Sequence, residues 1–202
     1  MLWFFASYGF FLLLTPVLFF HPKIRDGIWA RLGFYPAGWL SHCGRQRIWL
    51  HGASAGDVLG LVPLAVELRQ RLSTVSLILT TTTNSGREVA ERETKRGVFD
   101  AFTFLPYDLP GATRRALAQI QPKMLVLEYT ELWPNLIHRA AQSGIPIVLQ
   151  NGRFHPQHLN RYVWLFRAVG NLLECLTMCL VRDEPEAQRA RFLGAAAAKV
   201  HV

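Results

Sequence analysis

Between a short apolar run, Arg47 to Leu50, and an amphipathic stretch that opens at Val58, the chain reads HGASAGD, His51 to Asp57. Gly52, Ala53, Ala55 and Gly56 withhold bulk from such a turn, so a ligand can approach the backbone and the free N–H groups of the helix that follows. Asp57 then stands at the mouth of the turn. A carboxylate there can take a proton from an attacking hydroxyl at about 3 Å. It can equally serve as an N-cap, favoured by the helix dipole and by its acceptor oxygens. The residues alone leave both roles open.

Other segments carry similar ambiguities. Thr80 to Thr83 with Asn84-Ser85-Gly86 offers hydroxyl and amide groups suited to a sugar or an anion, but it also reads as β-branched strand residues entering an S-x-x-E capping box, Ser85 to Glu88. Glu131 in EYTELWPN can bond sugar hydroxyls, or act only as a first-turn acid. Trp133 reads as packing. Arg153 in NGRF follows a strand end, where a guanidinium can pair with a carboxylate or phosphate, or remain solvated. Asp108 in PYDLP reads as a helix cap. His51, His138, His155 and His158 lack metal-site spacing, so no metal is assigned.

Alternating β-rich runs and helical patterns position these groups. Strands are expected at 47–51, 75–81, 101–105, 124–128, 145–150 and 177–182, with the start of another at 199–202. Helices are expected at 58–72, from Ser85 towards Arg96, from Asp108 through Ile120, at 131–142 capped by Thr130, at 156–173, and from Asp183 until Gly194 ends it. This alternation predicts an α/β fold, a Rossmann-like parallel sheet with helices on both faces. Right-handed crossovers would bring HGASAGD, TTTNSG, PYDLP, EYTELWPN and NGRF to one sheet edge, outside the carboxyl ends of the strands, where ligands bind.

The 202 residues, 50% of them hydrophobic, suffice for a sizeable core and exclude disorder. Leu2 to Phe20 carries no charge and is long enough for a membrane anchor helix, spanning or lying in one leaflet. Residues 1–22 are thus expected as the anchor, 23–46 as a basic juxtamembrane linker, and 47–202 as the globular domain. Lys23, Arg25, Arg31, Arg45 and Arg47 follow the anchor and predict a cytoplasmic globular part. The net charge of +8 suits an anionic membrane surface, and no nucleic-acid motif accompanies it. Cys43, Cys175 and Cys179 form no CxxC pair and read as reduced thiols.

RLGFYP at 31–36, HGASAGD, TTTTNSG at 80–86, LPYDLPGATRRAL at 105–117, TELWPN at 130–135 and NGR at 151–153 together resemble the amino-terminal half of the 3-deoxy-D-manno-octulosonic acid (Kdo) transferases. The resemblance implies a GT-B-type glycosyltransferase at the inner membrane, transferring Kdo with inversion from CMP-Kdo to a lipid A precursor, without a cofactor. It implies that 47–202 is the acceptor domain and that the donor-binding domain lies outside this chain. Asp57 matches the family's base. Within such an enzyme, Ser54, Gly56, Thr83, Ser85, Gly86, Glu131, Asn135 and Arg153 are expected to bind substrate. Two departures are visible: the family's residue at position 57 is Glu, and Tyr129 stands where the family has Glu, with Glu128 one place earlier. A one-residue slip reverses the face of a strand side chain, so Glu128 is not taken as a replacement. A membrane-tethered glycolipid or nucleotide-sugar binding domain with little catalysis is the alternative.

Overall fold

The computed structural model describes Tyr8, Gly9, Phe11 and residues 26–202. The expected anchor, 1–22, lies outside the described residues apart from those three. Among the described residues no helix is long and apolar enough to cross a membrane.

Seven strands form one sheet: β1 (Arg47–His51), β2 (Ser76–Thr81), β3 (Ala101–Phe104), β4 (Met124–Glu128), β5 (Ile147–Gly152), β6 (Met178–Val181) and β7 (Val200–His201). Their order is β3-β2-β1-β4-β5-β6-β7, and every neighbouring pair is parallel. Between them run α2 (Ala55–Arg71), α3 (Asn84–Lys95), α4 (Pro110–Ile120), α5 (Pro134–Gln142), α6 (Leu159–Val169) and α7 (Glu184–Phe192), preceded by a short α1 (Ile28–Arg31). Covering a parallel sheet on both faces requires strands that are apolar throughout, and SLILTT in β2 is buried at every position.

Two cores result. Ile48, Leu50, Leu77, Leu79 and Val126 pack on one face with Val58, Leu61 and Ala65 of α2 and Val89 and Ala90 of α3. Trp49, Ile78, Leu125, Leu127 and Leu149 pack on the other, with residues of α4 to α7. The crossovers therefore change face between β1 and β4. That change opens a crevice at the carboxyl ends of these two strands.

Several expected helix starts are built differently. The Ser85–Glu88 box does not form; Thr83 caps α3, its hydroxyl accepting from Gly86 N. Asp108 does not cap α4, which starts at Pro110 without a side-chain cap. Its carboxylate instead accepts from Asn135 N and Leu136 N, closing the first turn of α5. Thr130 is accordingly not the cap of α5; its hydroxyl donates to the Arg153 carbonyl. The helix expected over 156–173 is divided into a 3-10 turn at Pro156–His158, α6, and a second 3-10 turn at Leu172–Cys175. Gly170 makes the break, with φ of 87°.

Residues 26–46, expected as a linker, pack onto the sheet. Tyr35 and Leu40 join the core. Arg31 is 6% exposed, donates to Thr82 O at 2.7 Å and lies 4.0 Å over the Phe104 ring. Arg47 donates to the carbonyls of Gly44 and Ile120. Backbone contact fixes the path: at Gly33, with φ of 79°, a Cβ would stand 2.5 Å from Ala112 O, whereas at Gly38, with φ of 74°, its nearest neighbour would be Ser41 at 4.0 Å.

These two glycines separate conformational from steric cost. Gly38→Ala is expected to cost about 1 kcal/mol, and Gly33→Ala about 1–3 kcal/mol more because the Ala112 carbonyl must move. Urea unfolding of both variants checks the difference.

Candidate active site

The crevice is lined from one side by the turn after β1. Gly52 lets that turn fold back: a Cβ there would lie 2.9 Å from the backbone of Asp57. Ser54, in extended conformation, is the N-cap of α2. Its hydroxyl accepts from Asp57 N at 3.4 Å, and Asp57 Oδ2 accepts from Ser54 N at 2.8 Å and Ser54 Oγ at 2.7 Å. Asp57 is thus the third helical residue of a reciprocal capping box, with Ser54 rather than Asp57 as N-cap. Among the described residues its Oδ1 has no hydrogen-bond partner. Gly56 is exposed in the first turn and leaves that approach clear.

The threonine run is spent on structure. The Ala53 carbonyl is ringed by Thr82 N, Thr83 N and the hydroxyls of Thr81, Thr82 and Thr83, all between 2.8 and 3.1 Å. Gly86 is buried, and a Cβ would meet Thr81 Oγ1 at 2.0 Å. Thr83 and Gly86 therefore clamp the β2 turn to the β1 turn. Ser85 is exposed, with its hydroxyl 3.2 Å from that of Thr83. Asn135 is likewise committed: its amide N–H groups donate to Asp108.

From the other side come residues after β4. Glu131 Oε2 accepts from Trp133 Nε1 at 2.9 Å and faces His51 Nε2 at 3.5 Å. His51 is fully buried at the end of β1, its Nδ1 3.0 Å from the Thr80 carbonyl, to which Nδ1–H donates. Arg153 Nη1 donates to the Tyr129 hydroxyl at 3.0 Å, with the guanidinium 5.9 Å from that ring. Tyr129 and Asn151 hold φ of 64° and 54°, left-handed values that cost non-glycine residues of the order of 1 kcal/mol. Both lie at the carboxyl rim of the sheet.

The residue that the spacing argument set aside is brought to the site. Glu128, the last residue of β4, lies on the α2 face and is 2% exposed. Its Oε1 accepts from Asn151 Nδ2 at 3.0 Å, and Gly60 of α2 leaves it room, since a Cβ there would come within 2.8 Å. Oε2 has no partner. Burial first, and the Asp57 charge in addition, push this carboxyl up to about 7, against the lowering effect of the Asn151 bond. Two acidic groups thus flank the crevice in different environments, Asp57 at the surface and Glu128 beneath it. No periodic or motif signal marks Glu128; its position depends on the pairing of β4 with β1. Among the described residues no cluster of three or more His, Cys, Asp or Glu is placed to hold a metal ion.

Because the folded Glu128 carboxyl titrates above its unfolded value near 4.5, the native chain binds the extra proton between these values. Stability then falls as pH rises through about 4.5 to 7. Glu128→Gln removes this loss. The variant is expected to be more stable than wild type at pH 8 by about 2 kcal/mol, after allowing for solvent screening at the rim. The gain should vanish near pH 4. Denaturant unfolding across that range checks the sign.

Comparison with known proteins places the sequence in a family. The model of the 3-deoxy-D-manno-octulosonic-acid transferases covers residues 26–202. A 3-deoxy-D-manno-octulosonic acid transferase of Haemophilus influenzae is 32% identical over 90% of this chain and 42% of its own length. That of Bordetella pertussis is 35% identical over 73% of the chain and 35% of its own length. The chain therefore spans less than half the length of these relatives. In fold it is similar to the UDP-GlcNAc 2-epimerase of Neisseria meningitidis, crystallised bound to UDP-GlcNAc, with a TM-score of 0.55 at 13% identity over 78% of this chain and 46% of that one. The family model spans most of the sequence and the relatives share about a third of its residues, so the chain belongs to the 3-deoxy-D-manno-octulosonic acid transferase family.

Proposed function

We propose that this chain is the acceptor-side half of an inverting glycosyltransferase, which moves Kdo or a related acidic sugar from a CMP-activated donor to a lipid A-type hydroxyl. Asp57 is the general base in this reading. The supporting observation is its placement: Oδ2 is held by Ser54 while Oδ1 has no partner among the described residues, on the first turn of α2 beside the crevice. Fixing one oxygen orients the other, so the base need not be ordered when the acceptor arrives. The acceptor hydroxyl would lie against the exposed turn at Gly56. Glu131, steadied by the Trp133 indole, would accept hydroxyls from the opposite wall. The Arg153 guanidinium, on Tyr129, would meet an acidic group of donor or acceptor.

Asp is one methylene shorter than the Glu expected from the family resemblance. The acceptor must approach α2 closely, which the small residues of HGASAGD permit. The uncharged run 2–20 followed by bases supports action at the inner membrane, with the sheet domain in the cytoplasm. The Ser54–Asp57 box also favours a second reading, a glycolipid-binding domain in which Asp57 only closes a helix.

Transfer from CMP-Kdo to a lipid A precursor by the full-length protein, followed by mass spectrometry, separates these readings. Asp57→Asn is expected to lower turnover by about 10²–10⁴-fold, with Asp57→Glu retaining most of it. Turnover near wild type in Asp57→Asn would sink the assignment of the base.

A further inference from the structure

The segment LPYDLPGATRRAL is only partly used by the crevice. Asp108 ties it to α5, and Arg115 donates to the Leu32 carbonyl through Nε and Nη2 at 3.0 and 2.6 Å. Arg114 has no such partner among the described residues. It lines a cavity of about 210 Å³ with Tyr8, Pro110, Gly111 and Arg139. Arg139 projects from α5, and neither it nor Arg114 takes part in any ion pair or side-chain hydrogen bond among the described residues. The Asp108 clasp holds the starts of α4 and α5 together, and Arg114 and Arg139 both line this cavity, whose described walls include no carboxylate. Two uncompensated arginines converging on a small cavity repel one another unless an anion is shared. The volume is enough for a tetrahedral oxyanion, and guanidinium groups match its oxygens in pairs.

The remaining wall indicates where that anion comes from. Tyr8 belongs to the uncharged run between Leu2 and Phe20, and its hydroxyl accepts from Gly111 N at 3.0 Å. Gly111 is needed for this approach, since a Cβ would lie 2.9 Å from the Tyr8 oxygen. The Tyr8 ring and two guanidiniums that are unpaired among the described residues thus line the same opening, and since Tyr8 lies in an uncharged stretch of sequence, the arrangement suits a phosphate at the boundary between water and lipid. We infer that Arg114 and Arg139 form a phosphate-binding pocket, separate from the carboxylates of the crevice, that takes the phosphate of a membrane lipid headgroup or a soluble phosphate of the same chemistry.

The test uses full-length protein, with inorganic phosphate in calorimetric titration and with flotation on phosphatidylcholine vesicles with and without phosphatidic acid. A double variant, Arg114→Ala with Arg139→Ala, is compared with Lys123→Ala and Arg161→Ala, which removes the same charge from exposed sites elsewhere. The pocket variant is expected to lose about tenfold in binding to a phosphate probe, with the control within about twofold of wild type. Arg114→Lys with Arg139→Lys should recover part of the loss, since an ammonium keeps the charge but not the fork. Loss of the phosphatidic acid preference assigns a lipid headgroup, and loss in the titration alone a soluble phosphate. Equal losses in the pocket and control variants, no loss in the pocket variant, or a wild type that binds neither probe would overturn the inference. Turnover is not read, so failure here leaves the role of Asp57 untouched.

Discussion

The parallel pairing of β1 with β4 governs everything else in this domain. Chain segments to one side of this pair pack their helices on one face of the sheet, and those to the other side pack on the opposite face. No helix can cover the carboxyl ends of both strands at once, so a crevice is left there as a consequence of topology. Backbone pairing from Ile48–Met124 to His51–Leu127 sets its floor. Shifting that register by one residue would turn Glu128 out of the α2 face and His51 out of the opposite core.

Two polar clasps then hold the loops around that crevice. The Ala53 carbonyl gathers the threonine turn, and the Asp108 carboxylate gathers the start of α5. Each joins segments far apart in the chain through buried or half-buried bonds, whose loss would leave desolvated polar groups unpaired. Thr83, Gly86 and Asn135, all expected as ligand contacts by residue type, each also carry one of these structural contacts. Motif residues of this kind hold the loops that form the site.

What remains at the rim is acidic and unevenly solvated. Asp57 is anchored by one oxygen, Glu131 by an indole N–H, and Glu128 is buried with one oxygen unsatisfied. A buried carboxyl beside another acid costs folding free energy at neutral pH. The left-handed Tyr129 and Asn151 add strain at the same rim. The rest of the domain, with two continuous cores and buried strands, offsets that cost.

The amino-acid sequence by itself determined the α/β class, six strands to within about two residues, and the carboxyl edge as the place where the motifs gather. Strand and helix periodicity are local properties, and parallel connection follows from their alternation. Local signals also placed Asp57 at a helix start, whereas the N-cap itself is Ser54. Only the tertiary structure decided what each motif residue does. Asp108 caps a helix two elements away, Thr83 and Gly86 clamp a neighbouring turn, residues 26–46 join the core, and Glu128 enters the site from beneath α2. Each of these rests on contact between segments distant in sequence, and the partner of a hydrogen bond across the sheet is chosen by strand order and register, which no single segment encodes.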